Sequence, residues 1–164
     1  MHLLANTIVL TSQGIPFLHA GVEMLRTKNG EENSYKSPDS INQLDWSRKT
    51  KYKYVYDYYQ SLIHLRKNHP AFRMPTTEMI QEHLTFMNLE ADGLIGFKIS
   101  GHANGDQWKE IMVVFNGSKE SETISIPGGS WTVVLEGIVI KEAGIRTVSD
   151  QLEVPASSTI ILVQ

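Results

Sequence analysis

The hydrophobic period of this chain changes once, and that change constrains its fold more than any other feature. Between Lys51 and His69 apolar side chains recur at helical spacing. Tyr52, Val55, Tyr56, Tyr59, Leu62 and Ile63 share one face, widened by Tyr54, Tyr58 and Leu65. Thr50 stands where an N-cap belongs, Lys67 suits the negative carboxyl end of a helix, and Pro70 closes the segment. The tyrosines read as core side chains whose hydroxyls reach a rim, in preference to a ligand platform. After Pro75 apolar residues alternate instead. Leu84 and Phe86, then Ile95, Phe97 and Ile99, then the continuous run Ile111–Phe115 mark strands. Ile124 and Ile126, Trp131 to Leu135, Val139-Ile140, Arg146–Val148, Leu152–Val154 and Thr159–Val163 complete eight or nine short strands. Gly128-Gly129 is the best hairpin signal, and would pair the strand ending at Ile126 with the one starting at Trp131. The predicted fold is mixed α and β: a helical amino-terminal part, a boundary near Phe72–Thr77, and an all-β antiparallel sandwich.

Bulk properties exclude several classes. With 164 residues, 41% hydrophobic and 20% charged, the chain can bury a real core and is neither disordered nor membrane-like in composition. A net charge of -3 provides no basic footprint for nucleic acid. The absence of cysteine rules out disulfides and thiolate metal sites. The apolar run Leu3–Leu10 is too short to span a bilayer, and only His2 precedes it where a signal peptide carries charge. Composition thus points to no membrane and no nucleic-acid partner.

The helical part opens with His2–Gln13, where Leu3, Leu4, Ile8, Val9 and Leu10 cover most of the circumference and demand protein on nearly every side. Pro16 stops that helix and biases Ile15 towards extended backbone. Two readings of the segment stay open on pattern alone. It is a hydrophobic helix with its exit turn, or a helix handing over to a short buried parallel strand at Phe17-Leu18 that ends at the polar rim of His19 to Glu23.

From Gly21 to Thr50 no hydrophobic period survives, and turn-forming residues are frequent. A stretch this long is functional or mobile. Asn33, Asp39, Asn42 and Asp45 can hydrogen-bond sugar hydroxyls, while Tyr35 and Trp46 offer faces for pyranose C–H surfaces. The same inventory also suits an ordinary solvated loop. The six histidines include no i,i+4 pair and no HExxH, the 33–45 segment lacks calcium-loop spacing, and no glycine-rich phosphate loop or Gly-x-Ser-x-Gly elbow occurs. No cofactor or metal is therefore expected. Asn116-Gly117-Ser118 is a formal glycosylation sequon.

Gly14-Ile15-Pro16 followed by Gly21-Val22-Glu23 resembles the last helix-to-strand passage of the barrel in α-amylase-family glycoside hydrolases. The wording SQGIPFLHAG-x-E-x-LRTK and NSY-x-SPDSINQLDW is similar to that of the type I pullulanases, which debranch starch. Arg66-Lys67-x-His69-Pro70-Ala71-Phe72, Val113-Val114-Phe115-Asn116-Gly117 and Val154–Leu162 continue the likeness. The resemblance implies that residues 1–71 are the end of a (β/α)8 barrel, as helix, short strand, loop and helix, and that residues 72–164 are the β-sandwich behind it. It makes α-glucan (pullulan, starch, limit dextrins) the expected partner, with His19, Glu23, Asn33, Tyr35, Asp39, Asn42 and Trp46 as candidate substrate-binding residues. Glycoside hydrolysis needs two flanking carboxyl groups. The family's catalytic motifs all lie upstream of the matched region, so no catalytic residue is expected here and Glu23 is a rim or loop anchor. The isolated chain should then be inactive. Its barrel remnant, Leu3–Leu18, would pack non-natively on the sandwich, pair with a second copy, or stay disordered. The alternative is a stand-alone β-sandwich module binding glycan or protein, with a helical appendage.

Overall fold

The computed structural model describes all residues, Met1–Gln164, and the chain divides into two compact units. One is formed by Met1–Pro16 with Leu62–Gln164, the other by Phe17–Ser61. No helix is long and apolar enough to cross a membrane.

The larger unit is built on an antiparallel sheet. Its strands are β1 (Leu84–Phe86), β2 (Leu94–Ser100), β3 (Glu110–Asn116), β5 (Trp131–Glu136), β6 (Val139–Ile140), β7 (Arg146–Val148) and β9 (Ser158–Val163). Their order is β1-β2-β3-β9-β5-β6, with β7 also on β5. β4 (Glu122–Ser125) and β8 (Gln151–Val154) form a separate two-stranded sheet. Strand pleating sorts the side chains into two faces. Met112, Val114, Ile160 and Leu162 line up with Leu94 and Val133 and share a core with Ile124, Leu152 and Val154 of the small sheet. Trp131 is buried in that core, its indole N–H donating to the Pro127 carbonyl at 3.0 Å. The opposite face carries Phe97, Ile99, Ile111, Val113, Ile161 and Val163, and there α1 (His2–Thr11) lies against β9.

In this unit one sequence expectation needs correction, and two features were not foreseen. Gly128-Gly129 is not a hairpin: β4 pairs with β8, Ile124 opposite Leu152, and the glycines carry the chain from the small sheet to the large one. A turn signal is local, and here the apolar face of β4 found a partner elsewhere. α5 (Thr77–His83) is an unpredicted helix, capped where the Thr76 hydroxyl accepts from Met79 N–H. Finally, Asn116 is fully buried. Its amide donates to the carbonyls of Glu120 and Val154, so it is a core organiser and not an accessible glycosylation acceptor.

Two polar junctions tie distant segments of this unit. The first centres on Arg66, near the end of α4 (Lys53–Asn68). Its buried guanidinium donates to the carbonyls of Leu10 (2.9 Å), Ser12 (2.7 Å) and Gly14 (2.6 Å), the free acceptors at the end of α1 and the turn beyond. The cation thus sits at the negative end of that helix. Gln13 adds to it, donating to Ala71 and accepting from Met74 N–H. The second junction is His69, fully buried, whose Nδ1 lies 2.9 Å from the Asp106 carboxylate and whose ring stacks on Trp108 at 3.3 Å. Asp106 also accepts from the N–H groups of Ala71 (3.1 Å) and Trp108 (2.9 Å). Burial pushes its carboxyl up, but the bonds from His69, Trp108 and Ala71 outweigh that and hold it below the usual carboxylate range.

The expected strand at Phe17-Leu18 is absent. Ile15–His19 carry no strand hydrogen bonding, and Ile15 and Phe17 are 98% and 88% exposed. A strand exists only with a neighbour, and this chain places none beside it.

Candidate functional site

The unit Phe17–Ser61 contains the polar stretch, short helices α2 (Asp39–Asn42) and α3 (Ser47–Lys51), and the start of α4. The helix predicted as Lys51–His69 is broken at Tyr52, so Thr50 lies inside α3 and caps nothing. The stretch is an ordered loop held by its own side chains. Gly21 adopts φ +93°, and a Cβ there would lie 2.8 Å from the Arg26 Cβ, so the turn requires glycine. Gly21 N–H donates to Glu23 Oε2 at 3.1 Å, and Arg26 N–H donates to the Gly21 carbonyl at 2.9 Å. Gly21→Ala is expected to cost about 1–3 kcal/mol of local stability. Hydrogen exchange would read this as faster amides over residues 21–48 with β3 and β9 unchanged.

Asn42 is the hub of the loop. Its amide donates to the carbonyls of Ser34 and Ser37 (both 2.8 Å), its Oδ1 accepts from Lys28 Nζ at 3.0 Å, and its carbonyl accepts from Arg26. Lys28 also donates to the Ser34 hydroxyl. Arg48 donates to the carbonyls of Met24 (3.3 Å) and Leu25 and lies over the Tyr52 ring at 4.7 Å. Asp45 accepts from the Ser47 N–H and hydroxyl, and those bonds lower its pKa. Around these groups is an open hollow of about 240 Å³ whose lining includes Arg26, Asn29, Ser40, Gln43, Asp45 and Arg48. Arg26 Nε is buried and lacks a hydrogen-bond partner.

The seven candidates separate by position. Asn42 spends its polar atoms inside the loop. Glu23 is half-buried, its Oε2 accepting from Gly21 N–H, and its charge, after burial, helps push the Tyr59 phenol up. His19, Asn33 and Asp39 are exposed, and Tyr35 and Trp46 stand 83% and 67% out of the surface. The basic residues Arg26, Lys28 and Arg48 are what sequence reasoning missed. The loop carries acids and cations in equal number, so its composition gave no signal, and pairing them to carbonyls required coordinates.

Residues 80–138 match the family model "Pullulanase, all-beta domain". A pullulanase of Bacillus subtilis is 45% identical over 124 residues, which are 76% of this chain and 17% of that one. The structure of a pullulanase from Bacillus acidopullulyticus superposes with a TM-score of 0.95 at 48% identity, over 99% of this chain and 20% of that one. The structure of Bacillus subtilis pullulanase type I complexed with maltose gives 0.92 at 37%, over 99% and 23%. The chain is homologous to glycoside hydrolases and spans about a fifth of the length of these relatives. Among them it belongs to the pullulanase family. The match covers 99% of this chain and so includes α1.

Proposed function

We propose that this chain is the carboxyl-terminal portion of a starch- and pullulan-debranching glycoside hydrolase that cleaves α-1,6-glucosidic bonds. The observation that carries this reading is the superposition on the Bacillus acidopullulyticus pullulanase, 99% of this chain on 20% of that one. In this reading residues 1–71 are the end of the catalytic barrel and residues 72–164 a β-sandwich behind it. The exposed Ile15 and Phe17 support it: an extended apolar run is what a last barrel strand presents when its neighbours lie elsewhere in the enzyme. The loop after it forms one wall of the cleft. His19, Asn33, Asp39, Tyr35 and Trp46 are its free polar groups and ring faces for α-glucan, a partner class suggested by the maltose-complexed relative. Glu23 and Asn42 hold the wall in shape.

The chemistry follows from what the wall lacks. Two carboxyl groups must flank the scissile bond, one as acid/base and one as nucleophile or base. In this reading both come from the upstream barrel, and the present residues orient glucan and exclude water. The test is a chimera in which Met1–Gln164 replaces the matched fifth of the Bacillus acidopullulyticus pullulanase. The chimera is expected to release reducing sugar from pullulan, and the 164-residue chain alone to release none. Activity of the chain alone, or a folded but inactive chimera, would overturn the reading. Titration of the isolated chain with maltooligosaccharides separates it from a stand-alone binding module, which must bind without the upstream barrel.

A further inference from the structure

Asparagine is followed by glycine at Asn29-Gly30, Asn104-Gly105 and Asn116-Gly117. The pairing matters chemically because glycine has no side chain to shield its own backbone nitrogen from the asparagine amide beside it. Two of the pairs are tied down. Asn104 Nδ2 donates to the carbonyls of Pro70 (3.0 Å) and Arg73 (3.2 Å), and Gly105 N–H donates to the His102 carbonyl at 2.9 Å. Asn116 is fully buried with its amide donated to Glu120 and Val154, and Gly117 N–H donates to the Gly93 carbonyl at 2.9 Å. Asn29-Gly30 is the exception. It is the exposed tip of a turn closed by Glu31 N–H, which donates to the Lys28 carbonyl at 3.0 Å. Asn29 and Gly30 have φ +54° and +84°, the pattern of a type I′ turn, which leaves the Gly30 N–H facing solvent. Asn29 bonds only through its backbone N–H, to Thr27 Oγ1 at 3.0 Å, so its side-chain amide is uncommitted. No atom comes within 4 Å of the place a Gly30 Cβ would occupy.

We infer that Asn29 is a site of spontaneous covalent modification, where the chain ages into aspartyl and isoaspartyl forms while Asn104 and Asn116 are spared. The step needs no enzyme. Rotation about the Asn29 backbone brings the Gly30 nitrogen to Asn29 Cγ. A C–N bond forms there, the Cγ–Nδ2 bond breaks, and Nδ2 leaves as ammonia with the proton that Gly30 gives up. Water then opens the cyclic imide. Opening at Cγ gives aspartate, and opening at the main-chain carbonyl gives isoaspartate, whose backbone runs through the former side chain. Nothing is oxidised or reduced. Either product replaces a neutral amide with a carboxylate. The new charge forms beside Lys28, whose Nζ holds the Ser34 hydroxyl and Asn42 Oδ1, at the hollow that Arg26 and Arg48 also line. The isoaspartyl form in addition inserts a methylene into the turn. That moves the Lys28 carbonyl away from Glu31 N–H and loosens the anchor of the 34–37 segment. This chemistry does not depend on the proposed function.

The test is peptide mapping by mass spectrometry of the 164-residue chain aged at mildly alkaline pH, once folded and once in denaturant. In the folded chain Asn29 is expected to convert at least about tenfold faster than Asn104 or Asn116, whose committed bonds must open first. In denaturant all three have the same following residue, and their rates should converge. Ion exchange should show one dominant acidic species, and Asn29→Gly, which accepts a positive φ, should abolish it. Hydrogen exchange reads the consequence. Residues 31–42 are expected to exchange at least about threefold faster in the aged acidic species, while Asn29→Asp, with the charge but not the extra methylene, stays near wild type. Conversion of Asn104 or Asn116 as fast as Asn29 in the folded chain would overturn the proposal. So would an intact Asn29 in folded chain aged until the denatured sample has fully converted, or an acidic species that persists in Asn29→Gly. Selectivity that survives denaturant would overturn it too, since the fold would then protect nothing. Equal exchange over residues 31–42 in aged and fresh chain would overturn the loosening of the loop.

Discussion

Asp106→Ala is expected to destabilise the sheet unit by about 3–5 kcal/mol, because it removes one member of a fully buried charged and hydrogen-bonded cluster. The carboxylate is the common acceptor for His69 Nδ1 and for the N–H groups of Ala71 and Trp108. Without it, donors from the end of α4, the turn beyond and the loop before β3 are left buried and unsatisfied. Thermal unfolding should report a fall in midpoint of roughly 6–20 °C at neutral pH. The effect carries a pH signature. In the folded chain the Asp106 carboxyl is held below its ordinary value of 3.8, so on acidification the unfolded chain takes up the proton first. Its contribution is complete above the unfolded value and is lost as pH falls through the folded one. The gap in melting temperature between wild type and variant should therefore narrow below about pH 4. An equal gap at pH 7 and pH 2.5 would show that the loss is one of packing alone.

The second large effect is expected at Arg66. Arg66→Met keeps the length and apolar stem of the side chain but deletes its three bonds to the carbonyls of Leu10, Ser12 and Gly14. Burial, then the nearby Arg73, lowers the Arg66 pKa, yet a guanidinium has pKa to spare and stays charged. Charge-assisted bonds to buried acceptors are the strong ones, and losing the group should cost about 2–4 kcal/mol. The loss should concentrate in α1, whose amides would exchange nearly as fast as those of an isolated helix. Arg66→Lys should recover little, since a single ammonium cannot reproduce a fork spanning Leu10 to Gly14. Full protection of α1 in the methionine variant would contradict this account.

Much of the fold could be read from residue order. Alternation at Ile95–Ile99 and the continuous apolar run Ile111–Phe115 located β2 and β3, and every predicted strand after Pro75 has a counterpart. The errors have physical causes. Pairing across Gly128-Gly129 failed because turn chemistry reports where a chain bends, not which strand it joins. The seven-residue α5 was missed because it is too short to establish a period. At the site, the residue types suited to sugar were legible, but not their division of labour. Asn42 and Asn33 are alike in sequence, and only the positions of Ser34, Ser37, Lys28 and Arg26 make one a hub and leave the other exposed.

The amino-acid order by itself determined the helical and alternating segments and the family likeness carried by Ser12–Trp46. Each of these depends on neighbours a few residues apart. Tertiary structure alone decided that His69 meets Asp106 across 37 residues, that Asn68 meets Glu142 across 74, and that α1 is held by Arg66. It also decided that Ile15–His19, built from residues suited to a buried strand, pairs with no strand and leaves Ile15 and Phe17 exposed. A strand needs hydrogen-bonding partners beside it, and no property of those five residues can supply them.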